Sequence, residues 1–156
     1  MPDTLQHTLQ HFTDRILVAT QTGQPLRLRG GGTKDFLGQS LQGEVLDTTA
    51  YSGILSYEPS ELVITVCCGT PLAEVEAALA QKGQCFAFEP PHFGKGATIG
   101  GMVAAGLSGP ARASVGTVRD FVLGARVING KGEHLTFGGQ VMKNVAGYDV
   151  SRLLAG

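Results

Sequence analysis

The chain has 156 residues, a net charge of −1, 42% apolar residues, 16% charged residues and 23 glycines. Glycine stands at about twice its usual ~7% share, but it comes in clusters (Gly30-Gly31-Gly32, Gly100-Gly101, Gly138-Gly139) between apolar runs, which excludes collagen and low-complexity disorder and suits one domain with a core. No run reaches the ~18 apolar residues of a membrane span, the N-terminus lacks the basic-then-apolar order of a signal peptide, and there is no lysine-arginine run for nucleic acid.

Leu5, Leu9, Phe12 and Ile16 recur at helical spacing, so residues 3–20 are expected to form a helix stopped by Gly23 and Pro25. Pro25 to Arg29 alternates as a short strand and runs into Gly30-Gly31-Gly32-Thr33-Lys34. Glu44–Thr48, Ile54–Glu58 and Leu62–Cys68 predict three more strands, the last two split by Pro59 and Ser60. Thr70 is the expected N-cap of a helix over Leu72–Lys82, with Pro71 at its first position and Gly83 as its stop. A strand over Cys85–Phe88 would complete a βαβ unit. Ala97 to Leu107 predicts a small-sided helix starting at Thr98. Val122–Ile128 and Glu133–Phe137 flank Asn129-Gly130-Lys131-Gly132 as a hairpin, and Tyr148–Leu154 predicts a last helix.

Charge is uneven along the chain. Residues 1–89 carry five Lys/Arg against ten Asp/Glu (−5), and residues 90–156 carry seven against three (+4), a balance that suits a compact anionic ligand. Cys67 and Cys68 lie in an apolar run and Cys85 stands alone, which points to reduced thiols in a reducing compartment rather than to a disulfide framework or a metal site. His7 and His11 share a helix face without a further ligand, and solvated histidines are the expectation.

Two glycine segments carry the chemistry. Gly30 to Lys34 can turn successive backbone N–H groups toward one anion, the alternative being a flexible surface turn. Gly94 to Gly101 (GKGATIGG) has neither Rossmann nor P-loop spacing. It offers phosphate a helix N-terminus at Thr98, or else serves a close helix–strand contact; sequence leaves both open. G-x-S-x-G is absent around Ser108 and Ser114, and no catalytic residue is assigned.

In their order, PLRLRGGGTKDFLG (25–38), YEPSELVITVCCGTPLAEVEAALA (57–80), GATIGGMVAAGLSGP (96–110), GTVRDFVLGARVINGKGE (116–133) and GGQVMKNVAGYDVSRLLAG (138–156) resemble the FAD-binding domain of the vanillyl-alcohol oxidase / para-cresol methylhydroxylase (PCMH) type. Within that family the chain is similar to the FAD-binding subunits of glycolate oxidases, relatives of the D-lactate and D-2-hydroxyglutarate dehydrogenases. The resemblance implies an α+β, PCMH-type fold of two α+β subdomains whose C-terminal part is missing. Residues 1–24 would be an N-terminal helix, and 25–156 an FAD domain incomplete at its C-terminus and without a substrate or cap domain.

The same resemblance implies site residues. Gly30, Gly31, Gly32, Thr33 and Lys34 would form the first pyrophosphate loop. Pro91, Ala97, Thr98, Ile99, Gly100, Gly101, Gly106, Ser108 and Gly109 would form the second, along the flavin and diphosphate. Gly116 and the strand from Val122 would lie on the adenine side, and Lys143 and Asn144 near the flavin ring. Thr33 stands where covalent relatives place a flavin-linking histidine, which implies non-covalent FAD; Val115 replaces a common tyrosine before Gly116, which puts the adenine-side contacts in question. The implied enzyme is an FAD-dependent 2-hydroxy-acid oxidoreductase with an iron–sulfur partner subunit, cytoplasmic and joined to the inner membrane through its partners, with this chain alone silent. Two alternatives stand beside it: another FAD enzyme of the fold, such as UDP-N-acetylmuramate dehydrogenase, and a degenerate module that binds no FAD.

Overall fold

The apolar stripe of the first segment folds as helix α1 (Asp3–Thr22), which buries Leu5, Phe12 and Thr13. The computed structural model describes residues 3–139 and 149–156. α1 bridges distant parts of the chain. Thr13 Oγ1 meets His134 Nε2 at 2.9 Å, Thr20 donates to the Gly130 carbonyl at 2.8 Å, and Arg15 pairs with Glu44 at 2.9 Å.

Strands β1 (Leu26–Arg29) and β2 (Glu44–Asp47) pair in parallel, Leu26 with Glu44 through Arg29 with Asp47. A parallel pair needs a crossover of about a dozen residues or more. Residues 30–43, which begin with the glycine run, are that crossover. Strands β3 (Ile54–Glu58) and β4 (Val63–Val66) pair antiparallel around a 3-10 turn at Pro59–Glu61. Leu62 caps that turn in the left-handed region, with φ 57, and its N–H bonds to the Pro59 carbonyl.

Helix α2 (Leu72–Ala80) buries Leu72, Val75 and Leu79 of the four residues its periodicity predicts, Ala78 being half-buried, and the chain leaves it through Gly83 at φ 68. Thr70 is not its cap. Pro71 holds that position, and the Thr70 hydroxyl, fully buried, donates to the Cys67 carbonyl at 2.8 Å and accepts from the Gly53 N–H at 2.8 Å. A buried hydroxyl gains more from two close partners than from one exposed helix end.

The strand expected at Cys85–Phe88 does not form, so there is no βαβ unit. Its two rings pack into the core instead. Phe86 and Phe88 stack on each other at 5.2 Å, and Phe88 on Phe121 at 5.5 Å. They join Leu72, Ala97, Met102 and Val118 in the core.

Helix α3 (Ile99–Ala105) is capped by Thr98, whose hydroxyl accepts from the Gly101 N–H at 3.2 Å. Two short helices absent from the sequence expectation follow, α4 (Arg112–Val115) and α5 (Val118–Phe121). α5 starts where the Asp120 carboxylate accepts from the Thr117 N–H at 2.7 Å and from its hydroxyl at 3.0 Å. This reciprocal capping holds the Asp120 carboxyl below its usual range. Strands β5 (Gly124–Ile128) and β6 (His134–Gly138) form the expected hairpin, Gly124 opposite Gly138, and α6 (Val150–Leu153) ends the described chain.

Candidate functional site

The two glycine segments, far apart in sequence, touch. A Cβ built on Gly31 would stand 1.5 Å from the Gly96 carbonyl oxygen, and one on Gly30 would stand 2.6 Å from Thr98 Oγ1. Gly94 lies over Thr33, with 3.6 Å from its added Cβ to the Thr33 methyl. Bareness at Gly31 therefore serves backbone-to-backbone contact between the two loops, and at Gly30 it makes room for the Thr98 side chain.

The first loop keeps its amides free. Among the described residues, the N–H groups of Gly30, Gly31, Gly32, Thr33 and Lys34 have no protein acceptor, whereas those of Asp35 and Leu37 close local turns. A run of successive unpaired amides around a left-handed glycine (Gly32, φ 71) can form an anion-binding concavity. That is a donor set a diphosphate fits, so the residues present suit the cofactor that the resemblance implies.

Charge at this loop favours an anion. The Arg29 guanidinium holds Asp35 through Nε at 2.8 Å and Nη2 at 2.7 Å, and Arg27 approaches the same carboxylate at 3.2 Å. The Arg29 hydrogen bond holds the Asp35 carboxyl below its usual range, and Asp35 in turn raises Arg29. Lys34 makes no ion pair among the described residues, and burial lowers its amine. Two arginines and one lysine against Asp35 and the nearby Asp47 leave the loop with one net positive charge, although the N-terminal half as a whole is acidic.

The second loop is arranged differently from the expectation of a free helix end. The first-turn N–H groups of α3 are all used inside the protein. Ile99 donates to the Thr70 carbonyl at 2.9 Å, Gly100 to the Cys68 carbonyl at 2.7 Å, and Gly101 to the Thr98 hydroxyl. Gly100 sits so close to the turn that follows β4 that an added Cβ would meet the Cys68 Cβ at 2.8 Å. Of the two sequence readings, Gly100 follows the close-contact one, though it packs against the turn after β4 and not against the strand itself. Ala97 is buried, and its carbonyl accepts from the Leu72 N–H at 2.8 Å.

The other expected residues spread outward. Gly106 caps α3 at φ 63 against the Gly156 carbonyl, and Gly109 at φ 75 packs on Glu89. Ser108 is buried; its hydroxyl donates to the Gly106 carbonyl and accepts from the Val118 N–H, each at 3.0 Å. Gly116 ends α4 at φ 94 beside Asp120. Pro91 lines a separate open cleft with Phe86, Phe88 and Pro110, where His92 Nε2 pairs with Glu76 at 3.0 Å. Lys143 and Asn144 lie outside the described residues.

Thiol and phenol chemistry sits behind the second loop. Cys67 is buried and Cys68 half-buried, and burial pushes both thiols up, away from the reactive thiolate. Burial, with Cys67 beside it, pushes the Tyr51 phenol up to about 12. Sequence reasoning missed the Arg29–Asp35 pair and the aromatic residues Phe36 and Phe93 beside the loops. Spacing could have suggested the former, and nothing local signals the latter.

A family model described as an FAD binding domain matches residues 6–138. The chain is 53% identical to glycolate oxidase subunit GlcE of Escherichia coli, over 94% of this chain and 42% of that protein. It is 32% identical to a D-lactate dehydrogenase of Archaeoglobus fulgidus (88% of this chain, 31% of that one) and 32% identical to glycolate oxidase subunit GlcD of Bacillus subtilis (91% and 31%). It thus spans less than half the length of these curated relatives. Among solved structures, alkyldihydroxyacetonephosphate synthase superposes with a TM-score of 0.69 at 19% identity, covering 92% of this chain and 26% of that one, a likeness of fold alone. With its mixed helices and strands, its paired glycine loops and a family match over residues 6–138, the chain belongs to the FAD-binding domain family of the PCMH type, and its cofactor is FAD.

Proposed function

We propose that the chain is the cofactor-holding segment of an FAD-linked 2-hydroxy-acid oxidoreductase of the glycolate oxidase kind. The observation that carries this reading is the run of unpaired amides from Gly30 to Lys34 on a positively charged loop. The 53% identity to a glycolate oxidase subunit supports the substrate class. FAD, when bound, would supply the hydride acceptor for the α-carbon of the 2-hydroxy acid.

The residues of this chain would bind and position. The amides of Gly30 to Lys34 would hold the diphosphate without a covalent bond, and the Lys34 ammonium would offset its charge. Ala97 to Gly101 would act mainly by fixing the second loop against the first, since the amides of Ile99, Gly100 and Gly101 are already engaged. Gly106, Ser108, Gly109 and Gly116 would hold the turns that follow. Pro91 would border the site, and Lys143 and Asn144 are assigned to the flavin side from the KNVAGYD stretch alone. Electrons would leave to an iron–sulfur partner subunit, in keeping with the relative's being a subunit of a complex. Among the described residues no helix is long and apolar enough to cross a membrane, and association with the inner membrane through partners is part of the proposal.

Titrating the purified chain with FAD and following flavin fluorescence anisotropy tests this directly. Saturable binding that weakens as salt rises is expected, because the contact is to a diphosphate. A folded chain that takes up no FAD would favour the degenerate module instead.

A further inference from the structure

Phe93 is a bulky residue in the left-handed region, at φ 53, a conformation normally left to glycine or asparagine. Leu62 is the other such residue, and its turn explains it. Phe93 has no such account: its backbone makes no backbone hydrogen bond among the described residues, and 53% of its surface is exposed, so burial does not offset the strain. Its ring meets Phe36 edge-to-face, with centroids 5.1 Å apart and planes at 81°, and Phe36 is 63% exposed. Lys34 Nζ lies 5.8 Å from the Phe93 ring centroid. Each glycine loop contributes one ring, and the next residue, Gly94, lies on Thr33. Two water-exposed aromatic rings and a cation thus stand beside the free amides of Gly30 to Lys34. Strain held at an exposed residue is the kind of outlier that points to a ligand.

We propose that Phe93 and Phe36 form a platform for a planar ring of the dinucleotide whose diphosphate the first loop holds. The inference rests on the reading of that loop given above. A flat heteroaromatic ring would cover the exposed phenyl surface, and Lys34 would bridge ring and phosphate. FAD has two such rings, adenine and isoalloxazine, and truncated ligands separate them.

The test measures FAD, ADP and riboflavin 5′-phosphate binding by calorimetry to the full chain and to its Phe93→Gly and Phe36→Ala variants, with thermal unfolding of each. Both variants should bind FAD about 10-fold more weakly, within the range typical of ring–aromatic stacking. Phe93→Gly should unfold no earlier than the parent, since glycine relieves the positive φ. A loss shared by ADP assigns the platform to adenine, and one shared by riboflavin 5′-phosphate assigns it to the flavin. FAD affinity unchanged in both folded variants overturns the platform while leaving the loop reading intact. Absence of FAD binding to the parent overturns both.

Discussion

The contact between the glycine loops makes a sharp forecast for Gly31→Ala. The new Cβ would stand 1.5 Å from the Gly96 oxygen and 2.5 Å from its carbon. A carbon–oxygen contact ordinarily needs about 3.3 Å, so the loops would have to part by roughly 1.8 Å. Gly31 does not have a positive φ, so alanine adds no backbone strain there and the effect is steric. The obstacle is backbone rather than a flexible side chain, which places the cost at the upper end of overpacking, about 3 kcal/mol. For a domain of this size that lowers Tm by about 6–12 °C. FAD binding should weaken as well, because the amides of the first loop are aligned by the same contact. Gly130→Ala is the control, since an added Cβ there meets nothing within 4 Å; its stability should stay within about 0.5 kcal/mol of the parent. Thermal unfolding by circular dichroism and an FAD titration read both effects. Gly31→Ala with a parental Tm and parental affinity would refute the loop contact.

Two further predictions follow from buried groups. Ser108→Ala leaves the Val118 N–H without its 3.0 Å acceptor, next to a core residue, and should cost about 1–3 kcal/mol in a denaturant melt; a midpoint equal to the parent's would count against it. The fold keeps Tyr51, Cys67 and Cys68 neutral by burial. Their contribution is whole below the ordinary thiol and phenol ranges, about 8.5 and 10, and falls as pH rises beyond them, because the unfolded chain sheds protons that the folded one keeps. Stability of the parent should therefore decline between about pH 9 and the Tyr51 value of about 12, and Tyr51→Phe should decline less; parallel curves for the two chains would sink the assignment.

Much of this molecule follows from neighbours along the chain. The recurrence of Leu5, Leu9, Phe12 and Ile16 at helical spacing makes α1, and the turn Asn129-Gly130-Lys131-Gly132, with Gly132 at φ 73, makes the β5–β6 hairpin. Thr98 caps α3, and the glycine run does close a strand end with free amides. These are local matters of periodicity, turn geometry and side-chain reach. Even α5 was within reach, since Thr117 and Asp120 stand at capping-box spacing. Tertiary structure decided the rest. The alternation of Phe86 and Phe88 suggests a strand, but Phe88 is buried in the core and Phe86 packs against it. The N-terminus of α3 looks available until Thr70 and Cys68 supply the acceptors. Gly31 and Gly100 are bare for the sake of Gly96 and Cys68, and Phe93 is strained beside a ring from the other loop. A missing side chain in the sequence marks only that something comes close. Whether that something is a ligand or the protein's own backbone depends on which segments the fold brings together, and no local pattern carries that information.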